Sequence, residues 1–190
     1  MRGGQASTIF NFDGDSLGTS TTFTDTVNGL SATFSSSADP GGFVVYPSMF
    51  ETLTGNVLGD PGPAGLANLS LDISFSADLA AITLDFATSD FITPSPFTLT
   101  AFENSTEVGT ATLTGQFLPG FTFPEGEIAF EGGPFNNVVL SSTATDIAVD
   151  NIDVIAAPEP GTLALLGAGL LLTGLACMRR RNAARQQSRN

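Results

Sequence analysis

Most of the chain alternates between apolar and polar residues with a period of two, as in a β-strand that has one buried face. Between residues 69 and 75, for example, Leu69, Leu71, Ile73 and Phe75 are separated by Ser and Asp. Similar short segments recur at 8–14, 22–35, 43–46, 82–86, 97–101, 106–113, 128–130, 138–140 and 147–155, with almost no helical periodicity before residue 160. The pattern predicts an all-β domain, a single β-sandwich or jelly roll.

The sharpest local prediction is a β-hairpin near the start of the chain. The Asn-Gly pair at 28–29 fits a two-residue type I′ turn, because both central residues of that turn need positive φ. Folding the chain about this turn places Val27 opposite Leu30, and Phe23 opposite Phe34. Both pairs fall on one face, so the turn and the hydrophobic pattern predict the same register.

Two stretches interrupt the alternation. Residues 36–67 are rich in Pro, Gly and Ser, and we predict mostly loop there, with one short strand at Phe43–Tyr46. Long loops of this kind often carry binding residues, so Tyr46 is the candidate ligand-binding aromatic. A turn is also expected at Ala77 and Asp78.

The last thirty-odd residues follow a different pattern. They contain a polar tripeptide, an uncharged apolar run and a basic cluster, in this order: Pro158, Glu159 and Pro160; residues 161–178; Arg179, Arg180 and Arg181. As a helix the apolar run would reach about 27 Å, close to the ~30 Å of a bilayer core. We therefore predict a transmembrane helix at 161–178, with a cytoplasmic C-terminus by the positive-inside rule.

This order of segments resembles the PEP-CTERM sorting signal of Gram-negative bacteria, which an exosortase, a membrane-embedded cysteine transpeptidase, reads. The resemblance implies that Pro158, Glu159 and Pro160 are recognised and that Arg179, Arg180 and Arg181 retain the protein transiently in the inner membrane. It further implies cleavage of the tail and delivery of the body to the outer surface or exopolysaccharide matrix. A plain membrane anchor is the alternative. The domains are then an acidic β-domain at 1–156 and a sorting tail at 157–190.

The charge distribution excludes several functions. The chain has a formal net charge of -13, with no Lys and no His, and all its Arg except Arg2 lie in the tail. Such an acidic body repels nucleic acid, so no nucleic-acid partner is expected. Nucleophilic triads and common zinc sites are also excluded in the body. It has no His and no Lys, and the only Cys of the chain, Cys177, lies in the tail. Export also needs a signal peptide, and the first eight residues have no apolar segment, so we expect the natural start to lie upstream.

Acidic residues leave two chemical hypotheses. Glu125 and Glu127, with Glu131 nearby, are spaced for carboxylate-pair hydrolysis, but we interpret them as a solvated acidic edge and predict no enzyme. The second hypothesis is calcium, which prefers carboxylate and carbonyl oxygens. Its candidate ligands follow the first strand or lie in the last one: Asp13, Asp15, Asp150 and Asn151. The alternative is that these residues only form a turn and a bulge.

The closing segment, residues 146–155, resembles the last strand of many PEP-CTERM cargo domains, which are often jelly rolls similar to carbohydrate-binding modules. We therefore predict a non-catalytic cell-surface or exopolysaccharide-matrix protein. Its expected partners are an exosortase, the lipid bilayer through the C-terminal helix, and exopolysaccharide. The alternative is a carbohydrate-binding jelly-roll module, either with or without a dependence on Ca²⁺.

Overall fold

A computed structural model of the chain describes residues 7–37, 42–60 and 70–157. The chain divides into two units, residues 1–157 and 158–190, and all the described residues belong to the first. The predicted sorting tripeptide, the 161–178 helix and the arginine cluster lie outside the described residues. Within them, no helix is long and apolar enough to cross a membrane.

The described residues form eleven β-strands and no helix, which confirms the all-β prediction. Their pairings are all antiparallel. The strands are β1 (Ser7–Phe10), β2 (Phe23–Val27), β3 (Leu30–Ser35), β4 (Val44–Pro47), β5 (Asn56–Gly59), β6 (Ser70–Thr88), β7 (Pro96–Glu103), β8 (Thr106–Thr114), β9 (Gln116–Phe117), β10 (Pro124–Ser142) and β11 (Ile147–Ala156).

Two long neighbouring strands, β6 and β10, connect the two halves of the sheet. The first part of β6 pairs with β3 and its last part with β11, while β10 pairs first with β9 and finally with β7. Their mutual register shifts on either side of Phe135. Irregularities of this kind bend strands and increase their twist. Each half therefore has its own neighbours: β2, β3, β7 and β8 in one, and β1, β4, β5, β9 and β11 in the other.

The predicted turn at Ala77 and Asp78 is wrong, because β6 continues from Ser70 to Thr88. Asn137 of β10 pairs with Ser74, and Phe135 pairs with Leu79. Strand β10 therefore continues alongside β6 on both sides of Ala77 and Asp78. The polar residues therefore mark the place where the pairing of β6 with β10 changes register. The chain does not reverse its direction there.

A single core joins the two halves. Phe86 of β6 stacks on Phe97 of β7, with ring centroids 4.3 Å apart and planes 12° apart. The hairpin contributes Phe34, which is fully buried and packs edge-on against Phe12. The largest fully buried side chains are Phe10, Phe12, Phe34, Phe43, Phe86, Phe97, Phe135, Leu53, Leu58, Leu71 and Ile73.

The hairpin has the predicted register, with Val27 opposite Leu30 and Phe23 opposite Phe34. Asn28 has φ 52° and Gly29 φ 83°, as a type I′ turn requires. Local turn chemistry is therefore sufficient to predict this unit.

Replacing Phe97 with Ala should lower the free energy of unfolding by about 3–5 kcal/mol, because it removes a buried ring and leaves a cavity between the two halves. Equilibrium urea unfolding of the full chain, followed by circular dichroism, measures this. The matched control is Phe117→Ala, since Phe117 is 39% exposed. The control should cost less than about 1 kcal/mol. If both variants lost the same amount of unfolding free energy, the result would contradict a core that the two halves of the sheet share.

Candidate functional site

The loop at residues 48–55, between β4 and β5, packs on the outer face of the sheet, opposite the main core. Side chains alternate along a strand, so Phe86 enters the main core while the next residue, Ala87, faces outward. The loop covers outward-facing positions of β5, β6 and β11 and completes a second small hydrophobic cluster: Leu53, Val57, Ala87 and Ala148, with Tyr46 and Phe50 packed against it.

Strand β5 was not predicted, since residues 36–67 were expected to be mostly loop. The signal was present in two adjacent apolar residues, Val57 and Leu58, which are both fully buried on opposite faces. Alternation cannot detect such a strand, because a strand that is covered on both faces reads as a continuous apolar run.

Glu125 of β10 holds this loop in place. Its carboxylate accepts hydrogen bonds from the backbone N–H of Glu51 (3.0 Å) and of Thr52 (2.7 Å), and from the Thr52 hydroxyl (2.7 Å). The side chain is only 3% exposed. The interpretation of Glu125 as part of a solvated acidic edge is therefore wrong, whereas Glu127 and Glu131 are exposed as expected.

A second loop, residues 89–95, is closed by Asp90. The Asp90 carboxylate accepts hydrogen bonds from the backbone N–H of Ser95 at 2.7 Å, from the Ser95 hydroxyl at 2.9 Å and from the Thr88 hydroxyl at 2.8 Å. The closed loop presents Phe91 and Ile92 to solvent, 70% and 89% exposed. Large exposed apolar side chains that lie side by side on a soluble domain often mark a binding surface.

A third loop, between β9 and β10, adds another aromatic ring. The chain turns at Gly120, with φ 91°, where the backbone N–H of Phe121 donates to the carbonyl of Leu118 at 3.1 Å. The Phe123 ring then lies 5.9 Å from Phe50 and 5.3 Å from Phe91, measured between centroids. Three loops that are distant in sequence thus contribute one contiguous aromatic surface.

Next to this surface is a cavity of about 210 Å³, called here the aromatic pocket. Ala87 and Ala148 are paired across β6 and β11 and both line it, so small side chains leave the space open. Its lining residues are Tyr46, Met49, Phe50, Asp60, Ala87, Thr88, Ser89, Phe123, Asp146, Ile147 and Ala148. The predicted ligand-binding residue, Tyr46, therefore lines a concave site, with neighbours that sequence analysis did not identify.

The polar side chains that line the aromatic pocket carry hydroxyls, on Tyr46, Thr88 and Ser89, or carboxylates, on Asp60 and Asp146. The Tyr46 Oη lies over Gly59, where a Cβ would approach it to 2.8 Å. Burial, and then the charges of Asp146 and Asp60, raise the pKa of Tyr46 to about 12, so the hydroxyl stays protonated. Burial and Asp60 raise the pKa of Asp146, while hydroxyl donors on Ser89 and Thr145 lower it. The charges acting on these groups are all negative.

A second polar feature lies further along β11, at a β-bulge. The register against β6 shifts between Asp150 and Asp153, and Asn151 has φ 50°. The Asp150 side chain is fully buried, and neither carboxylate oxygen has a hydrogen-bond partner. The Oδ1 of Asp153 is also buried without one. A buried charge without a partner is energetically costly, so this arrangement calls for a proton or a bound cation.

Burial is the main cause that raises the pKa of Asp150 to about 6. The Asp13 and Asp85 carboxylates raise it further, while the backbone amides of Asn151 and Thr54 lower it. Neither amide donates a hydrogen bond of good geometry to the Asp150 oxygens, so each lowers the pKa only through its proximity to the carboxylate. Around pH 6 the group is therefore divided between the protonated and ionised forms.

Asp13 is fixed by the start of β5. Its Oδ1 accepts a hydrogen bond from the backbone N–H of Asn56 at 2.8 Å, and the Asn56 side-chain amide donates to the carbonyl of Phe12 at 3.2 Å. Gly55, with φ 75°, lies so close that a Cβ there would overlap the Asp13 carboxylate. This close approach requires glycine at position 55.

Of the four residues predicted to bind calcium, only Asp13 and Asp150 have carboxylates close enough to affect each other. Asp13 lies within electrostatic range of Asp150, and Asn151 follows Asp150 and donates to Asp85 at 3.0 Å. Asp15 instead has Asp25 as its charged neighbour. In the part of the chain that is described, no three Asp, Glu, His or Cys side chains converge as metal ligands. A cation here would need amide and backbone oxygens besides Asp150 and Asp13, which Ca²⁺ accepts.

Comparison with known proteins identifies the tail. Residues 156–181 match the PEP-CTERM protein-sorting motif family, which confirms the resemblance noted from the sequence. No curated protein matches the chain.

The solved structures show what fold the body resembles. The K2 cleaved adhesin domain of Lys-gingipain has a TM-score of 0.52 at 15% identity, covering 78% of this chain and 99% of that one. The K1 domain, from Porphyromonas gingivalis W83, has a TM-score of 0.50 at 11% identity, covering 80% and 99%. A family 11 carbohydrate-binding module from Clostridium thermocellum has a TM-score of 0.41 at 12% identity, covering 83% and 99%, which is too low to add to the argument. At these identities the similarity concerns the fold alone.

In a chelator-containing buffer, Asp150→Asn should change the pH dependence of stability. A carboxyl whose pKa is raised on folding binds more protons in the native state, so its stabilising contribution is lost as pH rises from about 4 through about 6. The variant lacks this loss. Between pH 4 and pH 7 its free energy of unfolding should therefore rise by about 3 kcal/mol relative to that of the wild type. Urea unfolding at both pH values measures it, with the exposed Asp78→Asn as control. Parallel pH profiles for the wild type and Asp150→Asn would contradict the assignment.

Proposed function

We propose that this chain, which carries the PEP-CTERM sorting motif, is exported and sorted to the cell surface, where its β-domain is a non-catalytic surface or exopolysaccharide-matrix component. The observation that carries the proposal is the motif match at residues 156–181. An exosortase is the processing partner that the motif implies. The finer fold assignment is a jelly-roll-like sandwich, followed by a transmembrane helix that holds the chain in the inner membrane until it is cleaved.

The charge distribution supports this order of events. The basic residues after position 178 suit a cytoplasmic end, whereas the described β-domain contains no Lys, Arg or His. An entirely acidic domain stays soluble and is repelled by anionic headgroups once it is released. The sorting tail thus carries positive charge, which favours the cytoplasmic side of the membrane. The domain carries negative charge, which favours its release from the membrane surface.

The non-catalytic part of the proposal rests on the carboxylates. Glu125, the better buried of the two spaced glutamates, uses its carboxylate oxygens to bind the backbone of the loop at 48–55. Glu127 is exposed. A hydrolytic pair would need one carboxyl to protonate the substrate and the other to attack or activate water. Glu125 is committed to a structural role.

The sorting proposal is tested by intact mass of the protein from its native host, expressed with its natural N-terminus. The wild type should end near Pro160, without the arginines. Glu159→Ala should accumulate with an intact C-terminus in the membrane fraction. Glu103→Ala, an exposed substitution in the β-domain, is the control and should be processed normally. Wild-type protein still ending at Asn190 in the membrane fraction would contradict exosortase processing and indicate a plain anchor.

A second candidate function is carbohydrate binding, favoured by the aromatic pocket. Sugar sites combine apolar rings that stack on the sugar with a few polar groups that fix its hydroxyls, the usual composition of small-molecule pockets. Tyr46, Phe50 and Phe123 supply the rings, and the hydroxyls of Tyr46 and Ser89 supply polar groups in the lining. In this candidate function the β-domain attaches to exopolysaccharide instead of serving only as matrix material.

Calcium dependence is a further part of this candidate. The unpartnered Asp150 carboxylate, with Asp13 nearby, is the observation that supports it. A cation bound there would connect β11 to the segment after β1 and to the start of β5. It would neutralise the buried charge and order the loop that lines the aromatic pocket.

Calcium should therefore raise the melting temperature of the full chain relative to chelator. At a hundredfold excess over Kd, one site stabilises by about 2.7 kcal/mol, or roughly 5–10 °C for a domain of this size. Asp150→Asn should abolish the shift, and Asp78→Asn should retain it. An unchanged melting temperature in millimolar calcium, together with no heat in calorimetry, would disprove calcium binding.

A further inference from the structure

The two ends of the sheet differ in what covers them. The main strand order is β4-β5-β11-β6-β10-β7-β8, so β4 and β8 lie at the ends. The outer edge of β4 is covered by the chain itself, because the backbone of Val45 donates to the carbonyl of Thr19 and accepts from the N–H of Gly18, both at 2.9 Å. Strand β4 also ends in Pro47, which has no N–H to donate.

Strand β8 is the open end of the sheet. Among the described residues it pairs only with β7. Backbone N–H and C=O groups of an antiparallel strand point to both of its sides, so β8 has one side whose groups no other described strand uses. The side chains agree with this, since Leu113 is 41% exposed although Phe97, opposite it on β7, is fully buried. Such an edge is a template for a further strand.

Proteins usually protect an open edge with charged side chains, Pro or a bulge. Strand β2, for example, pairs only with β3 among the described residues and carries Asp25 at its centre. In β8, the one charged residue, Glu107, and the register shift against β7 both come before residue 110. The segment 110–114 reads Thr-Ala-Thr-Leu-Thr, with no charge, no Pro and a regular register against β7. It therefore lacks these protective features.

This segment is also complementary to itself. Antiparallel pairing with a second copy about Thr112 places Thr opposite Thr at all three Thr positions, and Ala111 opposite Leu113. Cross-strand Thr pairs and apolar pairs both stabilise sheets. Thr98 of β7 already lies opposite Thr112, with the hydroxyl oxygens 3.3 Å apart. A second copy of β8 would therefore present to Thr112 the same side chain that β7 presents from the other side.

Electrostatics favour this edge over other surfaces for contact between copies. The chain has a formal net charge of -13, so two copies repel each other. In antiparallel pairing about Thr112, Glu107 of each copy lies five positions from the axis, on opposite sides. The two Glu107 residues are then roughly 33 Å apart along the strands, well beyond the Debye length of about 8 Å at physiological ionic strength. The pairing therefore brings no like charges of β8 together.

We propose that β8 of one copy pairs antiparallel with β8 of a second copy, about a twofold axis at Thr112, so that the two sheets become continuous. Each copy contributes the same strand, so the contact is isologous and closes after two copies. The contact comprises five residues from each copy, so dimers accumulate where the chain is locally concentrated. This inference goes beyond the proposed function, because a domain that stays monomeric could still be sorted and could still bind sugar.

The first test is site-specific cross-linking of the full chain. The only cysteine, Cys177, is replaced by Ser, so that each variant has a single thiol. Thr112→Cys then places two thiols at the proposed axis, since directly opposite residues have Cβ atoms about 4.5–5.5 Å apart. The control is Thr24→Cys, at an exposed Thr of the edge strand β2. A short bis-maleimide should give at least tenfold more cross-linked dimer with Thr112→Cys than with the control.

The second test measures the dimerisation affinity by sedimentation of the full chain in mild detergent. Thr112→Glu places two carboxylates opposite each other at the axis and should weaken dimerisation at least tenfold. Thr24→Glu makes the same change of charge away from the axis and should leave the affinity within twofold of the wild type. Added salt should strengthen the wild-type dimer, because it screens the repulsion between two acidic chains. Melting curves confirm that each variant is folded.

Three results would overturn the proposal. Equal cross-linking at positions 112 and 24 would show association through another part of the chain, because all other residues are the same in both variants. An unchanged affinity of Thr112→Glu would show that β8 is not at the interface. A wild-type chain that stays monomeric up to millimolar concentration would show no self-association. In that case, protection of the amides of residues 110–114 from hydrogen exchange would indicate that another segment of the same chain covers the edge.

Discussion

The described β-domain has to satisfy its carboxylates without a single positively charged side chain. In most proteins a buried or half-buried carboxylate is paired with Arg, Lys or His. Here the donors are backbone amides, hydroxyls and side-chain amides, and each such contact fastens a piece of backbone. Glu125 fixes the loop over the outer face, Asp90 closes the loop that carries Phe91, and Asp13 holds the start of β5. The aromatic pocket therefore depends on carboxylate hydrogen bonds that shape its loops.

The same constraint explains where the domain remains chemically incomplete. Asp150 is buried, and no hydrogen bond reaches either of its carboxylate oxygens. The described residues include no Lys, Arg or His that could pair with this carboxylate. Calcium, the ligand proposed at Asp150, would provide a positive charge that the described residues lack.

The sequence predicts local features well and long-range contacts poorly. The hairpin register follows from one Asn-Gly turn, and the tail is recognisable because three segments stand in a fixed order. By contrast, β5 is apolar on both faces, and β6 passes through a polar segment that looks like a turn. Glu125 reads as surface charge until the loop 73 residues away is seen to donate to it. Of the candidate calcium ligands, Asp13 and Asp150 lie near each other because the terminal strands β1 and β11 pair, whereas Asp15 has Asp25 as its charged neighbour.

The central claim is that the Asp150 carboxylate, which is buried and receives no hydrogen bond, is stabilised by a proton or by an external cation. Carbon-13 NMR of the Asp side-chain carboxyls, recorded across pH 3–8 in chelator and again in calcium, tests it directly. We expect Asp150 to titrate with a midpoint near 6 in chelator and to ionise at much lower pH once calcium is present. A midpoint near the ordinary value of 3.8 in chelator would contradict the account, because it would mean that Asp150 is already satisfied within the chain.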